Sequence, residues 1–416
     1  MWLRIKPDFR SARKALRNGV KLTLPIGSLG CELFLKVLIS ISLSLGGLSV
    51  MALGQAVSSN ASDEFYGGIE ISPEGVKAIA LRVSQNEEEA GFKLVYSEIV
   101  RLTLWRTSGG AFAPQASTDA AQAVLTLLTR LRQQYRVPTE RIYFIGTSRL
   151  GADHPPDLIS VIRRTAGLTL TFLDAPTEVQ LSIAGTIPRI GKSGATTIDN
   201  RNTSVLVDIG NVGAQGGYEM LKYSQSNSSS SPAFDFVAMS LPQGAMSYAN
   251  EISRVVGEGS DLSTFTRQVK ASGALSFRQA LRKEMESKPG MVHRKRVFLT
   301  GGIVWAMATL IYPDDRQAFI PLTYENIVQF ADKVARSPRE FTNPNVSYIR
   351  DRKTRQEVEQ EIEAIRNTFT TRQLIAGAEL LKAAAEELRW QEKKLWFARL
   401  GHLGCILSWI RLQTGK

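Results

Sequence analysis

The sequence predicts a two-domain α/β protein with a hydrophobic leader in front and helices at its C-terminal end. Its 416 residues exceed what one simple core organises. Short apolar, β-branched runs alternate with stretches of helical periodicity along most of the chain, the pattern of an α/β architecture. Two of those runs end in glycine turns, Asp208-Ile209-Gly210 and Thr300-Gly301-Gly302. Such turns let a ligand come close to backbone N–H groups. Alone, the first of them reads equally as an ordinary β-hairpin, and its surroundings decide between the two.

Composition narrows the classes of partner. A net charge of +12 points to a polyanion or a membrane surface. Zinc-finger, RNP-type and basic-zipper patterns are missing, so nucleic acid is disfavoured, and polyphosphate and anionic lipid remain. Cys31 and Cys405 form no C-x-x-C, and His154, His293 and His402 are scattered, which argues against a disulfide framework and against a zinc enzyme.

In chain order, residues 1–57 form the leader. Basic residues dominate as far as Lys36, and Val37–Val57 then runs 21 residues without a charge. That is about the length that spans the hydrocarbon core of a bilayer. The leader is either a long cleaved signal peptide or an uncleaved N-terminal membrane anchor. Either way the positive charges keep the N-terminus inside and predict the main domains outside the cytoplasm, in a bacterial periplasm. Residues 58–65 are a polar linker.

Domain I is expected over 66–187. Tyr66–Val83 reads as strand, turn and strand, with Glu70 just before the turn Ser72-Pro73-Glu74-Gly75. Lys93–Leu104 is a further strand, Thr118–Gln134 an amphipathic helix, and Arg141–Gly146 a strand entering Thr147-Ser148-Arg149. A helix over Pro156–Gly167 ends at glycine. The strand Leu168–Leu173 then leads through Asp174 into a helix bearing Glu178. Domain II is expected over 203–345. It holds the Asp208-Ile209-Gly210 strand, a low-complexity loop Ser224–Ser231, the turn Leu241-Pro242-Gln243-Gly244-Ala245 and the Thr300-Gly301-Gly302 turn. Residues 346–388 form C-terminal helices, with Thr370 or Thr371 as a cap. Residues 389–416 form a basic, Trp-bearing tail, read either as an amphipathic segment at a membrane interface or as a helix docked on the domain.

Together these residues resemble the exopolyphosphatase/guanosine pentaphosphate phosphohydrolase (Ppx/GppA) family of the actin–Hsp70–sugar kinase superfamily. Gly68–Lys77 is similar to its first phosphate motif, Asp-Ile-Gly-Ser-Asn-Ser. Glu178 matches the glutamate of its Ser-Gly-x-x-Glu-Ala segment. Asp208-Ile209-Gly210 starts its second phosphate motif, Asp-Ile-Gly-Gly-Gly-Ser-Thr-Glu, and Leu241–Ala245 is similar to its Ser-Leu-Pro-x-Gly-Ala turn. The resemblance implies an actin-like (ribonuclease H-like) fold with an interdomain cleft.

It also implies a phosphohydrolase acting on polyphosphate or pppGpp. Glu178 would then activate water, Glu70 and Asp208 would hold Mg²⁺ directly or through water, and Gly75, Thr147, Gly210, Gly213, Gly301 and Gly302 would lie nearest the phosphates. A homodimer is admitted but not specified. The chain departs from the motifs at Pro73 and Glu74, which remove an N–H and add a negative charge, and at Asn211, Val212, Ala214 and Gln215. Those departures sustain the alternative of a catalytically degenerate, membrane-associated phosphate- or nucleotide-binding scaffold.

Overall fold

The computed structural model describes residues 64–84, 91–102, 104, 115–152, 157–188, 200–222 and 233–415. The leader, residues 1–57, and the linker up to residue 63 lie outside the described residues, as do the low-complexity loop and part of the 188–202 stretch between the expected domains. Among the described residues no helix is long and apolar enough to cross a membrane.

A first sheet holds β1 (Glu64–Ser72), β2 (Gly75–Ser84), β3 (Gly91–Arg101), β4 (Ile142–Gly146) and β5 (Thr171–Phe172), in the order β3-β2-β1-β4-β5. The first three form an antiparallel meander, and β4 and β5 add parallel to β1. The helix Ala116–Gln133 covers one face, burying Val124, Leu127, Leu128 and Leu131, together with Leu158 and Ile162 of the helix Leu158–Ala166.

The second sheet holds β6 (Ser204–Ile209), β7 (Ala214–Lys222), β8 (Ala233–Leu241), β9 (Arg296–Thr300), β10 (Phe319–Leu322) and β11 (Lys394–Ala398), in the order β10-β11-β9-β6-β7-β8. Its strands β8-β7-β6-β9-β11 repeat the order and senses of the first sheet, and β10 adds an antiparallel edge. The helices Ala245–Val256, Gly302–Ile311, Tyr324–Arg336, Arg352–Thr368 and Thr371–Glu387 enclose its core.

The tail is part of this frame and, of its two readings, takes the one docked on the domain. β11 fills the fifth position of the repeated sheet, with Trp390, Leu395 and Phe397 buried and Trp396 stacked on Phe298 at 5.3 Å. The last helix, Gly404–Thr414, then leaves the second sheet for the first. Its Ile406 and Ile410 pack under Gly68 of β1 and join Tyr66, Ile79, Leu81 and Ile145. The apolar residues that suggested a bilayer are spent on the protein's own core.

The helix Ala175–Thr186 makes the reciprocal move. It follows β5 of the first sheet, and its Val179 and Ile183 pack on Leu206 and Phe298 of the second. Each sheet therefore ends in a helix that serves the other, and the two helices pack against each other. Glycine sets their spacing. A Cβ on Gly185 would stand 2.0 Å from the Gly404 carbonyl oxygen, and one on Gly404 would stand 2.4 Å from Thr186 Oγ1. The first of these helices starts at a defined point, because Asp174 accepts a hydrogen bond from the Thr177 N–H at 2.7 Å and a proline follows it. That cap fixes the rotation and height at which Glu178, one turn in, is presented.

A methyl group at Gly185 has to push backbone, whereas one at Gly259 meets nothing within 4 Å. Gly185→Ala is therefore expected to cost roughly 2–3 kcal/mol of stability. Gly259→Ala is expected to stay within about 0.5 kcal/mol of the parent protein. Urea unfolding of the three proteins gives the comparison, and equal midpoints for all three would contradict this helix contact.

Candidate active site

Three turns converge where the exchanged helices bring the sheets together. In the first, β1 and β2 are joined by the two residues Pro73 and Glu74, with Ser72 paired to Gly75. That register puts Lys77 directly opposite Glu70, and the ammonium lies 2.6 Å from Glu70 Oε1. Lys77 also donates to the His402 carbonyl at 3.2 Å, so the C-terminal segment reaches the site. Glu70 is buried, and its Oε2 has no hydrogen-bond partner among the described residues. Burial pushes the Glu70 carboxyl above its usual range against the opposing pull of Lys77. For Lys77, burial works against the charge, but Glu70, Glu74 and Asp208 together outweigh it and hold the ammonium above its usual pKa.

The second turn follows β6. Asp208 stands at the strand's end, paired in register with Thr300 of β9 on one side and Gln215 of β7 on the other. Burial, and after it the charge of Glu74, pushes the Asp208 carboxyl up to about 7, with Lys77 pulling the other way. The Gly210 N–H closes the turn onto the Gly213 carbonyl at 2.9 Å. The carbonyls of Gly210 and Asn211 accept from Ala245 and Met246 at the start of the helix Ala245–Val256. Gly213 lies against the guanidinium of Arg149, which donates to the carbonyls of Val212 at 3.2 Å and Leu241 at 2.9 Å.

The third turn is Thr300-Gly301-Gly302. Gly301 adopts φ +95°, and a Cβ there would stand 2.5 Å from the Ile209 carbonyl and 2.7 Å from Asp208 Oδ1. Only glycine lets this turn close on the Asp208 strand.

Glu178 sits among these turns. Its Oε2 accepts from the Ser148 N–H at 2.7 Å and its Oε1 from the Gln215 amide at 3.0 Å. One donor comes from the segment after β4, the other from β7 of the second sheet, and the side chain is buried. Thr147 is adjacent, its N–H bound to the Ile71 carbonyl and its buried Oγ1 without a partner among the described residues.

The fold thus brings together Glu70, Thr147, Glu178, Asp208, Gly210 and Gly301. Other expected phosphate neighbours have local partners of their own. Gly75, at φ +132°, has its Cβ position filled by the Val100 carbonyl of β3, and Gly302 faces the Phe369 ring. Lys77 and the His402 carbonyl join the site without having been singled out from sequence. Lys77 was readable from a two-residue turn that opposes it to Glu70. His402 required knowing that the tail returns to the first sheet.

Glu70 and Asp208 lie within electrostatic reach of each other, of Glu74 and of Glu178, and Glu70, Glu74 and Asp208 share the Lys77 ammonium. Among the described residues no group of three or more His, Cys, Asp or Glu could by itself hold a metal ion. Magnesium, however, takes one or two carboxylates and completes its octahedron with water and substrate phosphate. The free, buried Glu70 Oε2 and the charge-crowded Asp208 fit such a shared, hydrated ion.

With this geometry in hand, the architecture is that of an actin-like two-domain protein, two copies of one sheet topology facing across a site made of glycine turns and carboxylates. Solved structures of the Ppx/GppA type share it. An exopolyphosphatase-like protein superposes with a TM-score of 0.59 at 14% identity, covering 85% of this chain and 99% of its own. The Ppx/GppA family member from Aquifex aeolicus gives 0.53 at 15%, covering 85% and 99%. An exopolyphosphatase from Cytophaga hutchinsonii gives 0.53 at 13%, covering 83% and 98%. No family sequence model and no curated protein sequence matches the chain, so the likeness lives in the fold.

The raised Asp208 carboxyl has a consequence for stability. A carboxyl that ionises near 3.8 when unfolded and near 7 when folded binds its proton more tightly in the fold. The Asp208 contribution to stability is then fully present below about pH 4 and is lost as pH rises toward 7, by up to about 4 kcal/mol. Asp208→Asn, which cannot ionise, is expected to raise the melting temperature more at pH 8 than at pH 5. An equal shift at both values, seen by differential scanning calorimetry, would contradict the crowded environment.

Proposed function

We propose that the chain is a phosphoanhydride hydrolase of the Ppx/GppA kind, releasing terminal phosphate from linear polyphosphate or pppGpp. The observation that carries this reading is Glu178, a buried carboxylate oriented by donors from both halves of the fold and surrounded by the three turns. A general base of this kind needs a fixed orientation and free lone pairs facing the attacking water. Each Glu178 oxygen spends one lone pair on its donor and keeps another for a proton. The Ser148 N–H and the Gln215 amide hold the carboxylate still while the proton arrives.

The terminal phosphate would lie beside the Asp208 turn and the Thr300-Gly301 turn, with the buried Thr147 hydroxyl as a further donor. Glu70 and Asp208 would hold the magnesium, and when bound it would add positive charge to that of Lys77 and Arg149. Lys77 restrains Glu70 on its other oxygen. The basic leader and its uncharged stretch support a location across a membrane, where linear polyphosphate is the more accessible of the two substrates.

A second reading, a non-catalytic phosphate-binding or scaffold protein on the same fold, is favoured by the closed Gly210 N–H and by the acidic residue in the first turn. Phosphate release separates the two. The purified protein with magnesium is expected to release orthophosphate from at least one of polyphosphate, pppGpp and ATP. Glu178→Gln is expected to lower that rate by about 10²–10⁴-fold with an unchanged melting curve. A wild type as inert as Glu178→Gln on every substrate would leave only the scaffold reading.

A further inference from the structure

The first turn does more than lack phosphate donors: its Glu74 carboxylate reaches the second turn and accepts from the Asn211 N–H at 3.0 Å. A Cβ placed on Gly210 would stand 3.5 Å from the same Glu74 Oε1. The carboxylate therefore occupies the glycine-turn backbone as an anion would. A backbone N–H in a glycine turn is the donor such turns offer to phosphate oxygens, and a carboxylate bound there makes the same charge-assisted hydrogen bond.

The presentation of Glu74 is built into the hairpin. Pro73 and Glu74 are the only two residues between β1 and β2, and the Glu74 carbonyl accepts from the Leu102 N–H at 3.2 Å. Ser72 Oγ donates to the Gly75 carbonyl at 3.3 Å, and Gly75 is wedged against β3. The receiving turn is just as fixed, by the Gly210–Gly213 closure on one side and the helix Ala245–Val256 on the other. Neither partner has to reorganise for the contact to form. Asn211 Oδ1, beside it, is buried without a partner among the described residues.

We propose that Glu74 is a specificity-determining residue, an internal stand-in for a phosphate group on the second turn that limits how much of a phosphate chain the cleft admits. The proposal rests on the phosphoanhydride reading of the cleft. A phosphate that needs the Asn211 N–H must displace Glu74, and one that binds alongside it meets a like charge at close range. Either cost grows with the charge of the incoming chain. The cleft should therefore admit only the end of a phosphate chain, and removal of the carboxylate should tighten binding in proportion to ligand charge.

The experiment is isothermal titration calorimetry of the full-length protein with inorganic phosphate, pyrophosphate and tripolyphosphate, on wild type, Glu74→Gln and Glu74→Ala. Glu74→Gln keeps the shape and an acceptor oxygen, so it reports on charge even where the alanine variant fails to fold. The expected result is tripolyphosphate binding at least tenfold tighter to Glu74→Gln than to wild type, a smaller gain for pyrophosphate, and about twofold or less for inorganic phosphate. Equal affinities in wild type and variant, or weaker binding in the variant, would overturn the role of Glu74 while leaving the cleft a phosphate site. Absence of binding by every folded variant to all three anions would overturn the phosphate reading itself, and this proposal with it.

Discussion

Glu178 is held from two sides that belong to different halves of the protein: the Ser148 N–H from the end of β4 and the Gln215 amide from β7. That arrangement exists only because the helix carrying Glu178 follows the first sheet yet packs on the second, while the C-terminal helix crosses the other way. The backbone approach of Gly185 to Gly404 sets the distance between the crossed helices. Stability and site geometry are thereby coupled. A change that forces these helices apart loosens the hold on Glu178 even though it touches nothing in the cleft.

The charge balance of the site follows from the same packing. Three carboxylates, Glu70, Glu74 and Asp208, act on the Lys77 ammonium, which is already committed to Glu70. Replacing a buried pair of this kind with apolar residues is often neutral for stability, so its presence points to a role other than holding the fold together. Removing only Lys77 would leave Glu70 buried and uncompensated, at a cost of several kcal/mol. An anionic substrate entering this cleft needs additional positive charge, and the unpartnered oxygen of Glu70 offers a place for it. A basic chain thus carries an acidic site. Net charge describes where the molecule goes, and the local charge describes what it can bind.

Much of the frame was legible in the sequence. Asp208-Ile209-Gly210, the Leu241–Ala245 turn and Thr300-Gly301-Gly302 stand in the order that the two-sheet fold requires, and each lies at the end of a strand or the start of a helix. Of the two candidate caps, Thr370 is the one used, in a capping box with Gln373. The tail was not legible as part of the second sheet. Its strand is only five residues long, and its tryptophans and lysines imitate an interfacial helix. Internal repetition was the missed signal. The first sheet goes from β4 through two helices to β5 and a closing helix, and the second follows the same plan after β9, with intervening helices and β10, to end in β11 and Gly404–Thr414. At the site, Pro73 and Glu74 were readable as obstacles to phosphate, but a sequence carries no information on where a carboxylate lands across a cleft. The bond to Asn211 depends on the closure of two sheets, which no local pattern encodes.

The central claim is that water, directed by Glu178, attacks a phosphoanhydride in this cleft. The most direct measurement is ³¹P NMR of tripolyphosphate incubated with the protein and magnesium in ¹⁸O-enriched water. Growing orthophosphate and pyrophosphate signals are expected, with the heavy oxygen in the orthophosphate. Orthophosphate that does not rise above the protein-free control, or heavy oxygen found in pyrophosphate instead, would contradict it.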